Sequence, residues 1–168
     1  MINKVLALGA GNMGSQAGFY YAMNGCNVTQ FDISEEALTA CKEYHLGYVD
    51  AFRAVCPSFT NEDIEAGLAR ISYNSDLESA AKDADLVTES VPEVLEIKQQ
   101  LYTDLNRFCP EHTIFTTNTS TLPPSAIAPA TGRPERFLAV HYANGIWNSP
   151  IAEVIPEEYR LPGRALYQ

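Results

Sequence analysis

Apolar positions change period along the chain, and each change marks an element. Residues 3–9, NKVLALG, form a short, nearly unbroken apolar run, the pattern of a strand buried on both faces. From Asn12 to about Asn24 the spacing becomes helical and stops before Gly25. NVTQFD (27–32) alternates as a second strand, Ser34 has the chemistry of an N-cap, and 35–55 continue as a long helix stopped by Pro57. A shorter helix follows, capped near Thr60 or Asn61. Residues 71–74 read as a strand, 76–83 as a short helix and 84–90 as a strand. After Pro92, residues Val94, Leu95, Ile97, Leu101, Leu105 and Phe108 recur at helical spacing and predict one apolar stripe. Residues 112–118 form another strand, 122–131 a short helical turn and loop, and 136–143 and 151–156 two closing strands. Residues 157–168 show no element.

Strands alternating with helices predict an α/β fold with a doubly wound, mostly parallel sheet. The two helices after the second strand are expected to form an arm. No Pro/Gly/Ser-rich linker divides the chain, so residues 1–156 are read as one domain and 157–168 as a tail.

The composition fits that picture: 168 residues, 46% hydrophobic and 19% charged, describe a globular domain. A net charge of −10 and a pI near 4.6 argue against a nucleic-acid or polybasic membrane partner. They leave room for an anionic ligand held by backbone N–H groups. Cys26, Cys41, Cys56 and Cys109 are scattered without metal-ligand spacing, so they read as reduced thiols of a cytoplasmic protein, and no metal is expected. No signal peptide and no membrane span is legible.

Three glycines in the first crossover carry chemistry. Gly9-Ala10-Gly11-Asn12-Met13-Gly14 fits G-x-G-x-x-G; it follows a strand, opens a helix, and Asp32 ends the next strand. That is the dinucleotide-binding arrangement of a Rossmann-type fold. Gly9 allows the tight turn, Gly11 lets the backbone approach a pyrophosphate, and Gly14 lets the helix pack closely on the sheet. Asp32 accepts from the ribose hydroxyls, and Ile33, Ser34 and Glu35 offer no cation for a 2′-phosphate, so the cofactor read here is NAD, not NADP. In the second half, His141 ends one strand and Glu153 lies on the next. A strand–loop–strand unit brings such a pair within reach, and an imidazole beside a carboxylate suits removal of an alcohol proton.

The motifs GAGNMG, Asp32, ESVPEVLEIK (89–98), NTST (118–121) and His141 with Glu153 in AEVI together resemble the NAD-binding domain of the L-3-hydroxyacyl-CoA dehydrogenase family, from about Asn3 to Ile155. The resemblance implies oxidation of a secondary alcohol to a ketone. It implies His141 as the base, Glu153 as its partner and Ser120 near the substrate oxygen. It also implies Asn144 beside the nicotinamide, and Glu93 and Lys98 along the NAD site. His45 and His112 read as surface residues. Two roles are open to Trp147, covering the site or packing its loop.

The sequence departs from the family at HYANGIWNSP (141–150), where Ala143 replaces a typical aromatic ring, and in the arm, where Lys42 and Arg53 are the main cations. The first puts acyl-chain preference in question, and the second coenzyme A recognition. A free hydroxy acid as substrate, as in gulonate dehydrogenases, and a non-catalytic NAD-binding or interaction module are the competing readings. The family also carries a following all-helical domain that supplies a dimer interface and one wall of the cleft. Without it, weak turnover and self-association into a homo-oligomer are expected.

Overall fold

The computed structural model describes residues 1–149 and 151–156. Seven strands form one sheet: β1 (Lys4–Leu8), β2 (Asn27–Phe31), β3 (Ile71–Asn74), β4 (Leu86–Glu89), β5 (Ile114–Thr117), β6 (Phe137–Tyr142) and β7 (Ala152–Pro156). Their spatial order is β3-β2-β1-β4-β5-β6-β7. The first six are parallel, and β7 pairs antiparallel with β6. The chain leaves β1 toward β2 and returns to β4 on the other side. The crevice at that switch point is where such sheets bind ligands.

Among the described residues, six α-helices connect the strands: α1 (Asn12–Met23), α2 (Glu35–Val55), α3 (Asn61–Ala69), α4 (Leu77–Ala81), α5 (Leu95–Phe108) and α6 (Pro124–Ile127). Ser34 caps α2 by accepting the Ala37 N–H, and the helix ends at Val55, ahead of Pro57. Thr60, not Asn61, caps α3, in a reciprocal capping box with Asp63.

The strand pattern explains the two-sided core. On β1, Leu6 and Leu8 pack with Tyr102, Leu105 and Phe115 on one face, while Val5 and Ala7 pack with Ala22 and Val28 on the other. Each fully buried aliphatic or aromatic side chain there contributes about 1.5–3 kcal/mol. The arm helices dock on α1, and α2 also reaches the sheet edge at Tyr73 of β3. Phe19 and Met23 of α1 meet Phe52, Ile64 and Trp147 in a separate aromatic cluster.

Two expectations need correction. Val94 and Ile97 do not belong to the buried stripe of α5: Val94 is the N-cap residue and both are exposed. The buried face runs through Lys98, Tyr102 and Leu105 instead. His45 is not a surface residue. It is 1% exposed and shares its face of α2 with Leu38, Cys41 and Phe52. Its Nε2 lies 3.0 Å from the Ser15 carbonyl oxygen, which can only accept, so Nε2 carries the proton. Nδ1 then accepts from the Tyr73 hydroxyl at 2.7 Å. Burial drives its pKa down to about 4 against the opposing pull of the Ser15 carbonyl, so the ring is neutral at neutral pH. His112 is exposed and meets Asp85 at 3.0 Å.

Candidate active site

At the switch point lies a groove of about 950 Å³, walled by the glycine-rich turn, Asp32, residues of α2 including Tyr48, and Ser90, Ile97 and Leu101. Gly9 turns the chain at φ +91. A Cβ on Gly14 would sit 1.9 Å from the Gly9 carbonyl oxygen, so α1 approaches β1 as closely as backbone allows. A Cβ on Gly11 would meet nothing within 4 Å, because that position faces open space in the groove. No side chain caps the start of α1, and its first turn holds no acid, which leaves the backbone N–H groups at Asn12, Met13 and Gly14 and the positive helix end for an anion. The buried Ser90 Oγ has no hydrogen-bond partner among the described residues. Asp32 takes the Ala10 N–H on Oδ2 (2.8 Å) and the Ser34 N–H on Oδ1 (3.0 Å), which holds its carboxylate at the groove. A bare anion-facing turn, an unpartnered hydroxyl and a fixed acid one strand along fit a dinucleotide such as NAD.

The β6–β7 register sets His141 directly opposite Glu153, on the same face. His141 Nδ1 lies 3.2 Å from Glu153 Oε2, and its Nε2 lies 3.0 Å from Ser120 Oγ. The three side chains form one line: carboxylate, imidazole, hydroxyl. Glu153 is 69% exposed and His141 36%, so water shares the dyad.

Ser120 is held from behind by Glu93. One Glu93 oxygen, Oε1, accepts from the Ser120 N–H (3.0 Å), the Thr121 N–H (3.1 Å), the Thr121 hydroxyl (3.2 Å) and, in a short contact, the Thr119 hydroxyl. Partial burial acts to raise the Glu93 pKa, but hydrogen bonds from Thr119 and Thr121 and the Lys98 charge outweigh it and bring it to about 2. Lys98 is not a solvated helix residue. It is 1% exposed, 3.2 Å from Glu93 Oε2 and 2.5 Å from Oε1 of the fully buried Glu89. Glu89 also accepts from the Val91 N–H (2.8 Å) and the Thr117 hydroxyl (2.7 Å). Glu93 and Lys98 therefore brace the loop that presents Ser120.

Asn144 lies over the start of α1, with its Oδ1 3.3 Å from Asn12 Nδ2. Trp147 packs its loop: the indole is 8% exposed, with ring centroids 4.9 Å from Tyr48 and 5.6 Å from Phe19. Glu89, Gln16 and Gln30 were not among the residues singled out from sequence. Gln30 is fully buried, and its Nε2 donates to the Gly9 carbonyl at 2.8 Å, stiffening the turn from below. Each is a polar side chain buried within its element, Gln16 on α1, Gln30 on β2 and Glu89 on β4.

Comparison with known proteins identifies the family. The family model "3-hydroxyacyl-CoA dehydrogenase, NAD binding domain" matches residues 4–160. The human mitochondrial hydroxyacyl-coenzyme A dehydrogenase is 33% identical over 162 residues, covering 92% of this chain and 51% of the relative. The fatty acid oxidation complex subunit alpha of Shewanella loihica is 35% identical over 162 residues, covering 96% of this chain and 23% of that one. Among solved structures, a diketoreductase superposes with a TM-score of 0.87 at 42% identity, covering 91% of this chain and 54% of that chain. The Escherichia coli 3-hydroxybutyryl-CoA dehydrogenase superposes at 0.82 and 34%, covering 92% and 32%. The chain thus spans about half the length of the mitochondrial relatives it matches. By the extent of the matched family model, this chain belongs to the 3-hydroxyacyl-CoA dehydrogenases, through their NAD-binding domain.

Proposed function

We propose that this domain serves NAD-dependent oxidation of the 3-hydroxyl of a 3-hydroxyacyl-CoA to the ketone, with His141 as general base. The observation that carries the reading is the Ser120–His141–Glu153 line, with distances of 3.0 and 3.2 Å. NAD, held by the glycine-rich turn and Asp32, supplies the hydride acceptor. Glu153 accepts from His141 Nδ1–H and so keeps Nε2 unprotonated. Nε2 then takes the proton of a substrate hydroxyl hydrogen-bonded to it, and Glu153 stabilises the imidazolium. Ser120 Oγ, within reach of the same nitrogen, orients that hydroxyl.

Two features support low turnover by this chain alone. Glu153 is mostly exposed, so water weakens its stabilisation of the imidazolium. The apolar side chains of Ile151, Val154 and Ile155 on and beside the edge strand β7 are also exposed. Self-association through that edge follows from the same exposure. The four free thiols suit a reducing compartment such as the cytoplasm. No helix among the described residues is long and apolar enough to cross a membrane.

A second reading, a free hydroxy or dicarbonyl compound as substrate, is favoured by one observation. Of the two main arm cations, Arg53 is already engaged by Asn61 at 2.6 Å, which leaves little to grip a nucleotide phosphate. Initial rates of NADH formation with 3-hydroxybutyryl-CoA and with free hydroxy acids separate the two. His141→Ala abolishes oxidation in either case while NAD binding persists; retained oxidation overturns the assignment of the base.

A further inference from the structure

Gln16, on the second turn of α1 and 4% exposed, lies between the glycine-rich turn and the loop of residues 143–149. Its amide has a readable polarity. The Gly145 backbone N–H can only donate, and it reaches Gln16 Oε1 at 2.8 Å; the Ile146 N–H approaches the same oxygen at 3.4 Å. Nε2 is therefore the other end. It donates to Asn12 Oδ1 at 2.8 Å and to Asn144 Oδ1 at 2.9 Å. Asn12 Nδ2 adds a second donor to Asn144 Oδ1 at 3.3 Å. The oxygen of Asn144 is thus turned inward and used twice. Its Nδ2, with two N–H donors, is the end left for a ligand.

We propose that Gln16 is a positioning residue that fixes the amide orientation of Asn144, so that the loop after His141 offers an N–H donor, not an acceptor, to the nicotinamide half of the cofactor. The inference rests on the NAD-dependent reading above. The assignment follows from a backbone donor whose polarity is not negotiable, carried through two side-chain amides in succession. Without Gln16 the Asn144 amide can present either end, and the loop loses its tie to α1.

Calorimetric titration of the 168-residue chain with NAD and with ADP-ribose, which lacks the nicotinamide, tests this. In mildly alkaline buffer, Gln16→Glu keeps an acceptor for the Gly145 N–H but presents only oxygen to Asn144, which turns the Asn144 donor inward. The new carboxylate stands beside the anion-facing helix start and weakens both ligands, so the expected result is a loss of NAD binding about tenfold greater than the loss of ADP-ribose binding, the value of one lost hydrogen bond. The sole tryptophan, Trp147, keeps its wild-type emission because the loop stays anchored. Gln16→Leu, which buries no charge, gives the same selective loss with a shifted Trp147 emission, and it decides the matter if the Glu variant does not fold. Equal loss of both ligands, or of neither, overturns the proposal, as does wild-type binding of NAD no tighter than ADP-ribose. If the wild type binds neither ligand, the cofactor reading itself fails.

Discussion

A single methyl group, placed three residues apart in the same turn, separates folding from cofactor binding. At Gly11 the backbone has φ −76 and ψ −171, an extended conformation that alanine adopts freely. The added Cβ meets no protein atom within 4 Å. Folding gains about 0.4–1 kcal/mol from the stiffer unfolded chain and gives back a similar amount for a poorer N-cap. Gly11→Ala should therefore keep wild-type stability within about 1 kcal/mol. The methyl group projects into the space a diphosphate needs, and NAD binding should fall at least about tenfold, as one displaced hydrogen-bonded contact costs. Gly14→Ala is the opposite case. Its Cβ would lie 1.9 Å from the Gly9 carbonyl oxygen and 2.9 Å from its carbon, and both are backbone atoms. Relief requires α1 to move off β1, at about 1–3 kcal/mol or more. Urea denaturation monitored by circular dichroism, with calorimetric titration of NAD, measures both quantities on both variants. Gly11→Ala binding NAD at wild-type strength would refute the assignment of the turn as a phosphate cradle.

Three further outcomes follow from the same geometry. Asp32→Asn should weaken NAD and narrow its advantage over NADP in competition binding, because an amide neither repels a 2′-phosphate nor accepts as strongly; an unchanged NAD-to-NADP ratio counts against Asp32 as the ribose acceptor. Lys98→Met should cost about 3–5 kcal/mol in chemical denaturation by leaving the buried Glu89 without its cation, and Lys98→Met with Glu89→Gln should recover part of the loss; a wild-type midpoint for the single variant excludes the buried pair. For His45, the folded pKa of about 4 lies below the unfolded value near 6.5, so the unfolded chain binds the extra proton between them. Its contribution, about 3 kcal/mol at most, is complete above pH ~6.5 and is lost as pH falls toward ~4; His45→Gln should flatten that part of the stability–pH curve, and an unaltered slope removes His45 as its source.

Strands were the most legible elements, because β1 is a nearly unbroken apolar run, β2 alternates in polarity, and turn residues bound both. The glycine spacing and Asp32 were legible for a different reason: backbone geometry, not packing, dictates them. What escaped was polarity inside packed elements. His45 stands in register with Leu38, Cys41 and Phe52, so its spacing placed it on the buried face, but its residue type argued for the surface. Lys98 falls on the inner face of α5 because Glu89, on the neighbouring strand, waits for a cation; that pairing crosses elements and leaves no trace in local spacing. Val94 and Ile97 fit a helical stripe on paper, yet the stripe's edge faces the groove, where Ile97 forms a wall. Neither role for Trp147 could be chosen from sequence, since its partners Phe19 and Tyr48 lie on two distant helices.

The antiparallel pairing of β6 with β7 constrains how this loop can vary over time. Sliding one strand past the other by a single residue would replace Glu153 with Ala152 or Val154 opposite the imidazole, and the base would lose its acid without any change in composition. Substitutions between Ala143 and Ile151 that spare Asn144, Gly145 and the buried Ile146 and Trp147 can reshape what is bound at modest risk, whereas a one-residue insertion or deletion there must be absorbed by a bulge or it disables the chemistry outright. Diversification of specificity in this scaffold is thus freer in side chain than in length.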